Sequence, residues 1–212
     1  MRDIPVFATE NGVASLALKE IPYYQTAYIQ IQDTREPQKL LEECVGFCKA
    51  AGAESVYAAG HPYLEKYPFH TAIWQLSNIR EALADTDAAL FPVTEQTLEA
   101  WRELYNRRMA DVPNASYMTK QDGTELLKKG NGYFVHRGDV LLGIGIASGE
   151  QIDAVVAAES GAGEQVMQAL NHALSGERIL LQVASENKRA VRLYERLGFI
   201  TVKELSVWYC VG

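Results

Sequence analysis

The amino-acid sequence predicts an α/β (α+β) protein in which a mixed, mostly antiparallel twisted sheet is flanked by helices. Three observations predict this fold class. Short segments rich in β-branched residues are bounded by turn residues, amphipathic helical segments follow several of them, and both halves repeat the order hairpin, strand, helix, strand. At about 150 residues per domain, the length of 212 residues corresponds to roughly 1.4 domains, which lies between one domain and two.

The first half is predicted to be a β-β-β-α-β-β module. Asn11-Gly12 suits a tight hairpin turn, and Pro37 stands at the favoured first position of a helix that Gly52 ends. The helix carries apolar residues on one stripe, as expected of a helix that packs on a sheet. The predicted strands cover residues 6–8, 13–21, 27–32, 55–59 and 71–76, and the predicted helix covers residues 37–52.

The second half is predicted to have the order α-α-β-β-β-α-β-α-β. Residues 79–91 show no clear period and are predicted to be a connection between the halves. Gly138 and Gly149 mark two hairpin turns in the second half. The predicted helices cover residues 95–109, 124–129, 163–173 and 187–197, and the predicted strands cover residues 133–136, 140–147, 152–157, 179–184 and 200–211.

Composition excludes several classes of protein. A hydrophobic fraction of 48% and a charged fraction of 22% are globular values, which exclude a disordered or collagen-like chain. No stretch approaches the roughly 18 consecutive apolar residues of a membrane span, and residues 1–5 lack a signal-peptide pattern, so we expect a cytoplasmic protein with no membrane partner. The net charge of −7 has no long run of either sign, which argues against a nucleic-acid partner.

Cysteine and histidine spacing predicts no metal site. Cys44 and Cys48 stand four residues apart in a predicted helix, but no further ligand lies near them in sequence, so we expect buried, reduced thiols. Cys210 is predicted to lie in a strand, where its side chain has a packing role. The histidines form no His-x-x-x-His pair; they are His61, His70, His136 and His172.

The junction after the predicted strand 152–157 has the features of an anion site. Gly161 and Gly163 allow a sharp turn that directs unpaired N–H groups to a helix N-terminus, where the peptide dipoles add positive potential. Such a nest suits a phosphate or a pyrophosphate. A Gly-Ala-Gly sequence also suits a simple tight connection, and neither a Walker loop nor a complete dinucleotide fingerprint is present.

The segment 183–199 carries the most specific motif of the chain. Its pattern, Asn-x-x-Ala-x-x-Leu-Tyr-Glu-x-x-Gly-Phe, resembles the carboxyl-terminal motif of the GCN5-related N-acetyltransferase (GNAT) family. Gly161 and Gly163 occupy the two small positions of that family's pyrophosphate loop, Gln/Arg-x-x-Gly-x-Gly/Ala. The resemblance divides the chain into a partial, degenerate GNAT-like module over residues 1–91 and an acetyltransferase-like domain over residues 92–212. The matched motif residues are Asn187, Ala190, Leu193, Tyr194, Glu195, Gly198 and Phe199.

The resemblance implies an acetyl-coenzyme A-dependent N-acyltransferase that acetylates a primary amine of a small molecule or peptide directly. In the family, the cofactor lies in a V-shaped gap between the fourth and fifth strands, and backbone N–H groups of the fourth strand, whose open edge would here be residues 153–157, stabilise the oxyanion. Tyr194 matches the tyrosine that donates a proton to the departing thiolate and is the catalytic residue that the resemblance implies. The cofactor-binding residues that it implies are Ala154, Val155, Val156, Gly161, Ala162, Gly163, Asn187 and Ala190.

One departure from the family pattern affects the expected affinity. Ala158 stands at the Gln/Arg position, and Glu159 and Glu164 bring negative charge near the expected pyrophosphate, so we expect weaker cofactor binding than in a typical member. Lys188 and Arg189 either restore positive charge or form a solvated helix face. The alternatives to an enzyme are a non-catalytic acyl-coenzyme A sensor and an interaction protein that has the fold without the cofactor.

Two motif residues also have structural interpretations. Tyr194 falls on an apolar helical stripe with Ala190 and Leu193, which fits core packing, and Asn187 is a favourable N-cap. The general base is not identified by sequence. The candidates for it are Glu150, Glu159 and His136.

The first half is expected to bind no cofactor. Its equivalent junction, residues 33–37, has no glycine, and Pro37 removes an N–H group where a phosphate nest needs one. Gly60-His61-Pro62-Tyr63 stands where the second half has its motif helix. The aromatic residues of this half either wall the acceptor site or bury the face between the modules, and we expect core packing for most of them. We expect the chain to be a monomer or a homodimer.

Overall fold

The computed structural model describes residues 5–212, which form two compact units. The first unit comprises the described residues up to Ile73 together with Leu205–Gly212, and the second is Trp74–Glu204. The signal-peptide prediction concerns residues 1–5, of which residues 1–4 lie outside the described residues. Within residues 5–212, no helix combines the length and the apolar character needed to cross a bilayer.

The first unit is a sheet covered by one long helix. β1, β2 and β3 are successive antiparallel neighbours, whereas β3 and β4 are parallel and are connected through α2. A 3₁₀ turn, Pro62–Lys66, follows β4. The elements of this unit are β1 (Val6–Thr9), β2 (Gly12–Ala17), α1 (Ile21–Tyr24), β3 (Thr26–Thr34), α2 (Pro37–Ala50), β4 (Ser55–Ala59), residues 69–73 of β5 (Phe69–Ile79) and the end of the last strand.

The core of the first unit lies between α2 and the sheet. Pro37 begins α2, as predicted, and Gly52 follows its end at a positive φ of 100°. The buried face of α2 carries Leu40, Leu41, Cys44 and Cys48, which pack with strand residues such as Ile29 and Val56. The amphipathic pattern predicted from the sequence is therefore the packing face of this helix.

The second unit is a longer sheet with helices on both faces. Its strands follow the order β11-β5-β10-β9-β8-β7-β6, in which β6 to β9 form an antiparallel meander and β9 and β10 are parallel. Its elements are residues 74–79 of β5, a 3₁₀ turn (Arg80–Ala82), β6 (Ala89–Pro92), α3 (Leu98–Met109), α4 (Lys120–Lys129), β7 (Gly132–Arg137), β8 (Val140–Ser148), β9 (Gln151–Ala157), α5 (Gly163–Asn171), β10 (Arg178–Ala184), α6 (Lys188–Arg196) and residues 200–204 of β11 (Ile200–Cys210).

The two faces of this sheet bury different apolar clusters. Ala154 and Val156 of β9 pack with Trp101 of α3, whereas Val155 packs against the cluster that contains α5 and α6 residues such as Leu170. This alternation follows from the two-residue period of a strand. The predicted fold class, a mixed α/β protein with a mostly antiparallel sheet flanked by helices, is confirmed.

Residues 79–91, predicted as a connection, contain a further strand. β6 pairs with β7 from Ala89 opposite His136 to Pro92 opposite Tyr133. It has only four residues, too few to show a period, and it lies at the edge of the sheet order, where proline is tolerated because its missing N–H breaks no pair.

Several other boundaries also differ from the prediction, and two of these differences have a local explanation. The strand predicted over residues 13–21 ends at Ala17, and Ile21–Tyr24 is one helical turn with proline near its start. The helix predicted from residue 124 begins at Lys120 because Thr119 and Asp122 form a capping box, a signal that was present in the sequence.

The compact units have different bounds from the division predicted after residue 91. Residues 74–91 belong to the second unit, and residues 205–212 return to the first. In the second unit, β5 lies between β11 and β10; in the first, Tyr209 and Cys210 of β11 pair with Ala58 and Tyr57 of β4. Each unit thus contains a strand segment from the other half of the sequence, a pairing that depends on long-range contacts that no local pattern reveals.

We expect Cys44 and Cys48 to resist thiol reagents while the protein is folded. Both side chains have no exposed surface, and burial raises the pKa of the Cys44 thiol to about 12 and that of Cys48 to about 11, so almost no thiolate forms at neutral pH. Titration with a chromogenic disulfide should label the half-buried Cys210 first and the other two only after unfolding. A Cys210→Ser variant should lose the fast phase; rapid labelling of that variant would contradict the expectation.

Candidate functional site

β9 and β10 are parallel neighbours that pair over a short stretch and then separate. Leu180 is in register with Gln151 and Leu181 with Ile152, and no further pair joins these strands, both of which lie wholly within the described part of the chain. Residues 154–157 of β9 pair with β8 on the other edge. The edge that faces β10 therefore keeps backbone N–H and C=O groups available, and the strands open a gap toward their carboxyl ends.

The corresponding strands of the first unit stay together. β3 and β4 pair in five consecutive positions, from Thr26 opposite Ser55 to Gln30 opposite Ala59, which uses every residue of β4. An inserted chain could not pair with either strand on that side unless it displaced this ladder. The two halves of the sequence therefore share an order of elements and differ in the feature that opens the sheet.

The loop 158–162, which joins β9 to α5, holds the predicted nest. Gly161 has a φ of +96°, and a Cβ at this position would meet nothing within 4 Å, so the glycine is needed for its backbone conformation and faces open space. The N–H of Ala162 lies 3.4 Å from the Glu159 carbonyl oxygen, whereas no acceptor is present for the N–H groups of Gly161 and Gly163 among residues 5–212. These donors are available to an anion.

Gly163 has a different role from Gly161. A Cβ on Gly163 would lie 2.9 Å from Cδ2 of Leu193, a residue of α6. The glycine therefore allows the first turn of α5 to approach α6 closely. As a result, the predicted nest and the motif helix are packed together.

Arginines from three elements surround the loop 158–162. Arg108, in the last turn of α3, donates from Nη2 to the carbonyl oxygen of Ala158. Arg189 of α6 donates to Oγ of Ser160 at 3.2 Å. Arg137, at the end of β7, lines a cavity of about 270 Å³ together with the loop. The loop, whose one acidic residue is Glu159, thus lies among cationic side chains.

The structure separates the two cations that the sequence placed together. Lys188 lies 2.9 Å from a carboxylate oxygen of Glu186, so its charge is paired away from the loop, whereas Arg189 reaches it. Arg108 and Arg137 were not identified from the sequence, because they lie 50 and 21 positions from Ala158 and no local pattern joins them to the nest. Glu159 is exposed, and Glu164 accepts a hydrogen bond of 3.4 Å from Gln168.

The predicted site residues on the motif helix α6 make structural contacts in the folded protein. The Asn187 side chain caps the helix and accepts a hydrogen bond from the N–H of Ala190 at 3.2 Å. Tyr194 is 6% exposed and packs against Phe199 with ring centroids 5.7 Å apart. Burial raises the pKa of Tyr194 to about 12, so its hydroxyl stays protonated at neutral pH. The stripe predicted for this helix is its packing face.

The three candidates for the general base lie in different places. Glu150 precedes β9, where its carbonyl oxygen accepts a hydrogen bond from Leu180 N–H at 2.8 Å, and Glu159 lies beyond the other end of the strand. A strand of seven residues spans about 23 Å, so these carboxylates cannot serve one reacting centre together. The His136 ring packs edge-on against Phe91, with centroids 5.4 Å apart.

A larger cavity of about 530 Å³ lies at the other end of α5. Arg80 occupies its wall and donates to the carbonyl oxygens of Asn171 and Gly176, which satisfies the end of the helix. His172 lies 3.0 Å from a carboxylate oxygen of Asp85. The His, Cys, Asp and Glu side chains of residues 5–212 form no cluster of three or more suited to a metal ion.

Comparison with known proteins finds one family model that matches part of the chain and several solved structures with a similar fold. Residues 156–209, which contain the nest and the motif helix, match the family described as FR47-like protein. No curated protein sequence matches the chain significantly.

Three solved structures illustrate the shared fold. A GCN5-related N-acetyltransferase from Sphaerobacter thermophilus is 14% identical, with a TM-score of 0.59 over 94% of this chain and 76% of its own. A conserved protein of unknown function from Staphylococcus epidermidis is 11% identical, with a TM-score of 0.61 over 99% and 94%. A tandem GNAT protein from the clavulanic acid biosynthesis pathway is 10% identical, with a TM-score of 0.55 over 95% and 78%. These findings confirm the GNAT resemblance predicted from the sequence.

Proposed function

We propose that this chain, which has the fold of the GCN5-related N-acetyltransferases, transfers an acetyl group from acetyl-coenzyme A to a primary amine of a small molecule or peptide. The observation that carries the proposal is the separation of β9 from β10 beyond Leu181 and Ile152, which leaves one strand edge open beside a nest of N–H donors. Both features suit an extended ligand that ends in phosphates.

The open edge and the loop would hold different parts of acetyl-coenzyme A. The backbone groups of Ala154, Val155 and Val156 would pair with the amides of the pantetheine arm, and the N–H groups of Gly161 to Gly163 would receive the pyrophosphate. Asn187 and Ala190 begin α6 beside this loop, and Leu193 of the same helix contacts the start of α5. When bound, the cofactor supplies an activated acetyl thioester.

Tyr194 is the proton donor in this proposal. A departing thiolate, whose conjugate acid has a pKa near 8.5, gains stability from a nearby hydrogen-bond donor. Because burial raises the pKa of Tyr194 to about 12, this side chain keeps its proton under all physiological conditions. Backbone N–H groups of β9 would stabilise the oxyanion formed when the amine attacks the carbonyl carbon.

A non-catalytic acyl-coenzyme A sensor is the second candidate function. Ala158 has no donor side chain, and Glu159 is exposed on the loop, which weakens the field at the nest. A sensor has to bind acyl-coenzyme A but does not have to catalyse acyl transfer. The first half of the chain, with its closed β3 and β4 pair, is proposed to bind no cofactor under either candidate.

Ligand binding and turnover separate these candidates. Acetyl-coenzyme A at 100 times its Kd should stabilise the folded protein by about 2.7 kcal/mol, which a thermal-shift titration detects as a rise in Tm. Release of free thiol in the presence of an amine library then identifies an enzyme. A rise in Tm without thiol release supports the sensor, and no change in Tm at millimolar ligand would leave only an interaction protein.

A further inference from the structure

The loop 158–162 obtains its positive charge from other elements of the fold. Its own sequence provides an alanine at residue 158 and an exposed carboxylate at residue 159, and a second carboxylate follows at residue 164. A pyrophosphate brought to the Gly161 and Gly163 N–H groups would therefore meet two like charges. Compensation must come from residues that are distant in sequence, and the structure brings Arg108 and Arg189 to this loop.

The contact of Arg108 differs from that of Arg189. Arg108 donates to a backbone carbonyl, that of Ala158, which is the first loop residue after β9. Arg189 donates to a serine hydroxyl, which can rotate and serve as donor or acceptor. Arg108 is thus bound to the backbone of the first loop residue. A guanidinium carries five N–H donors, and because Arg108 is exposed, the donors not used on Ala158 are open to a ligand.

We propose that Arg108 is a positioning residue for the pyrophosphate of coenzyme A. It fixes the start of the loop through the Ala158 carbonyl and brings a permanent positive charge to this loop, whose own sequence has none. The inference rests on the proposed function, since it assigns a role within the same cofactor site. It adds a residue from α3 to a site that otherwise uses β9, α5 and α6.

Three substitutions separate charge from structure. Arg108→Gln keeps a donor for the Ala158 carbonyl and removes the positive charge. Arg108→Lys keeps the positive charge but has fewer N–H donors, and Arg108→Glu reverses the charge. We expect the Kd of acetyl-coenzyme A to rise about ten-fold for Arg108→Gln, less for Arg108→Lys and more for Arg108→Glu. KM should rise in proportion while kcat stays within about two-fold.

Arg107→Gln is the matched control. Arg107 is the adjacent exposed arginine of α3, turned by about 100° around the helix axis, so this variant makes the same change in net charge away from Arg108. We expect its Kd to equal that of the natural protein. Titration of each variant with 3′-dephospho-coenzyme A identifies the phosphate: the ten-fold loss should persist, because this ligand retains the pyrophosphate.

Several results would overturn the assignment. An Arg108→Gln variant that binds like Arg107→Gln would remove any role for Arg108, and a stronger loss for Arg108→Lys than for Arg108→Gln would show that the contact matters only as a structural bond. Loss of the effect with 3′-dephospho-coenzyme A would assign Arg108 to the 3′-phosphate instead. If the natural protein binds no coenzyme A, the proposed function itself fails, which is distinct from all three results.

Discussion

Replacing Tyr194 with phenylalanine should lower kcat by about 100-fold or more, while the Kd of acetyl-coenzyme A changes by less than about two-fold. The substitution removes one hydroxyl from a side chain that is 6% exposed and packs on Phe199, and phenylalanine fills nearly the same volume. Proton donation acts on the departing thiolate and not on the bound ground state, so the loss should fall on turnover. Stopped-flow thiol release and calorimetric binding measure the two quantities.

The pH dependence provides a second readout for Tyr194. A tyrosine donates only while it is protonated, and burial raises its pKa to about 12, so the donor remains intact as the pH rises from 7 to 10. We therefore expect no loss of kcat from its ionisation in that range. An unshifted tyrosine, with a pKa near 10, would instead lose half of its donor form by pH 10.

Tyr133→Phe serves as the control for the Tyr194 substitution. Tyr133 lies on β7, and its hydroxyl makes only a long contact of 3.5 Å with the Gly130 carbonyl oxygen. This variant should turn over normally. Normal turnover of Tyr194→Phe would mean that the tyrosine has only the packing role that its apolar stripe also permits.

Replacing Trp101 with alanine should lower the free energy of unfolding by about 3–5 kcal/mol, the largest stability effect that we expect. Trp101 has no exposed surface, stacks on Tyr105 with ring centroids 5.4 Å apart, and packs with Ala154 and Val156 of β9. Its Nε1 donates to the Tyr133 carbonyl oxygen at 3.0 Å. The substitution removes this bond and leaves a cavity beneath the strand that carries the open edge.

Trp101→Phe separates the contribution of the Nε1 hydrogen bond to stability from that of ring packing. It keeps most of the buried ring and leaves the Tyr133 carbonyl without its donor, which should cost about 1–2 kcal/mol. Chemical denaturation of both variants, with the slope on denaturant checked for constancy, measures the difference. Equal losses for the two variants would show that the hydrogen bond dominates and that the ring contributes little by packing.

The sequence determined the parts of the fold that depend on neighbouring residues. The stripe of α6 and its Asn187 cap, the turn at Gly161 and the helix α2 that begins at Pro37 all follow from local backbone chemistry, and the structure shows each where it was predicted. The motif of residues 187–199 also indicated the fold, through its resemblance to the GNAT family, and its apolar helical residues lie on the packing face of α6, as their spacing predicted.

Only the tertiary structure decided how the site is assembled. The family resemblance implied a gap between two strands of the second half, but no local pattern shows that β9 leaves β10 after two pairs while β3 and β4 stay joined over five, because strand pairing depends on packing across the whole sheet. Arg108 reaches Ala158 from 50 positions away, and β5 and β11 each contribute segments to both units. These contacts join residues far apart in the chain, where sequence periodicity carries no information about which segments meet.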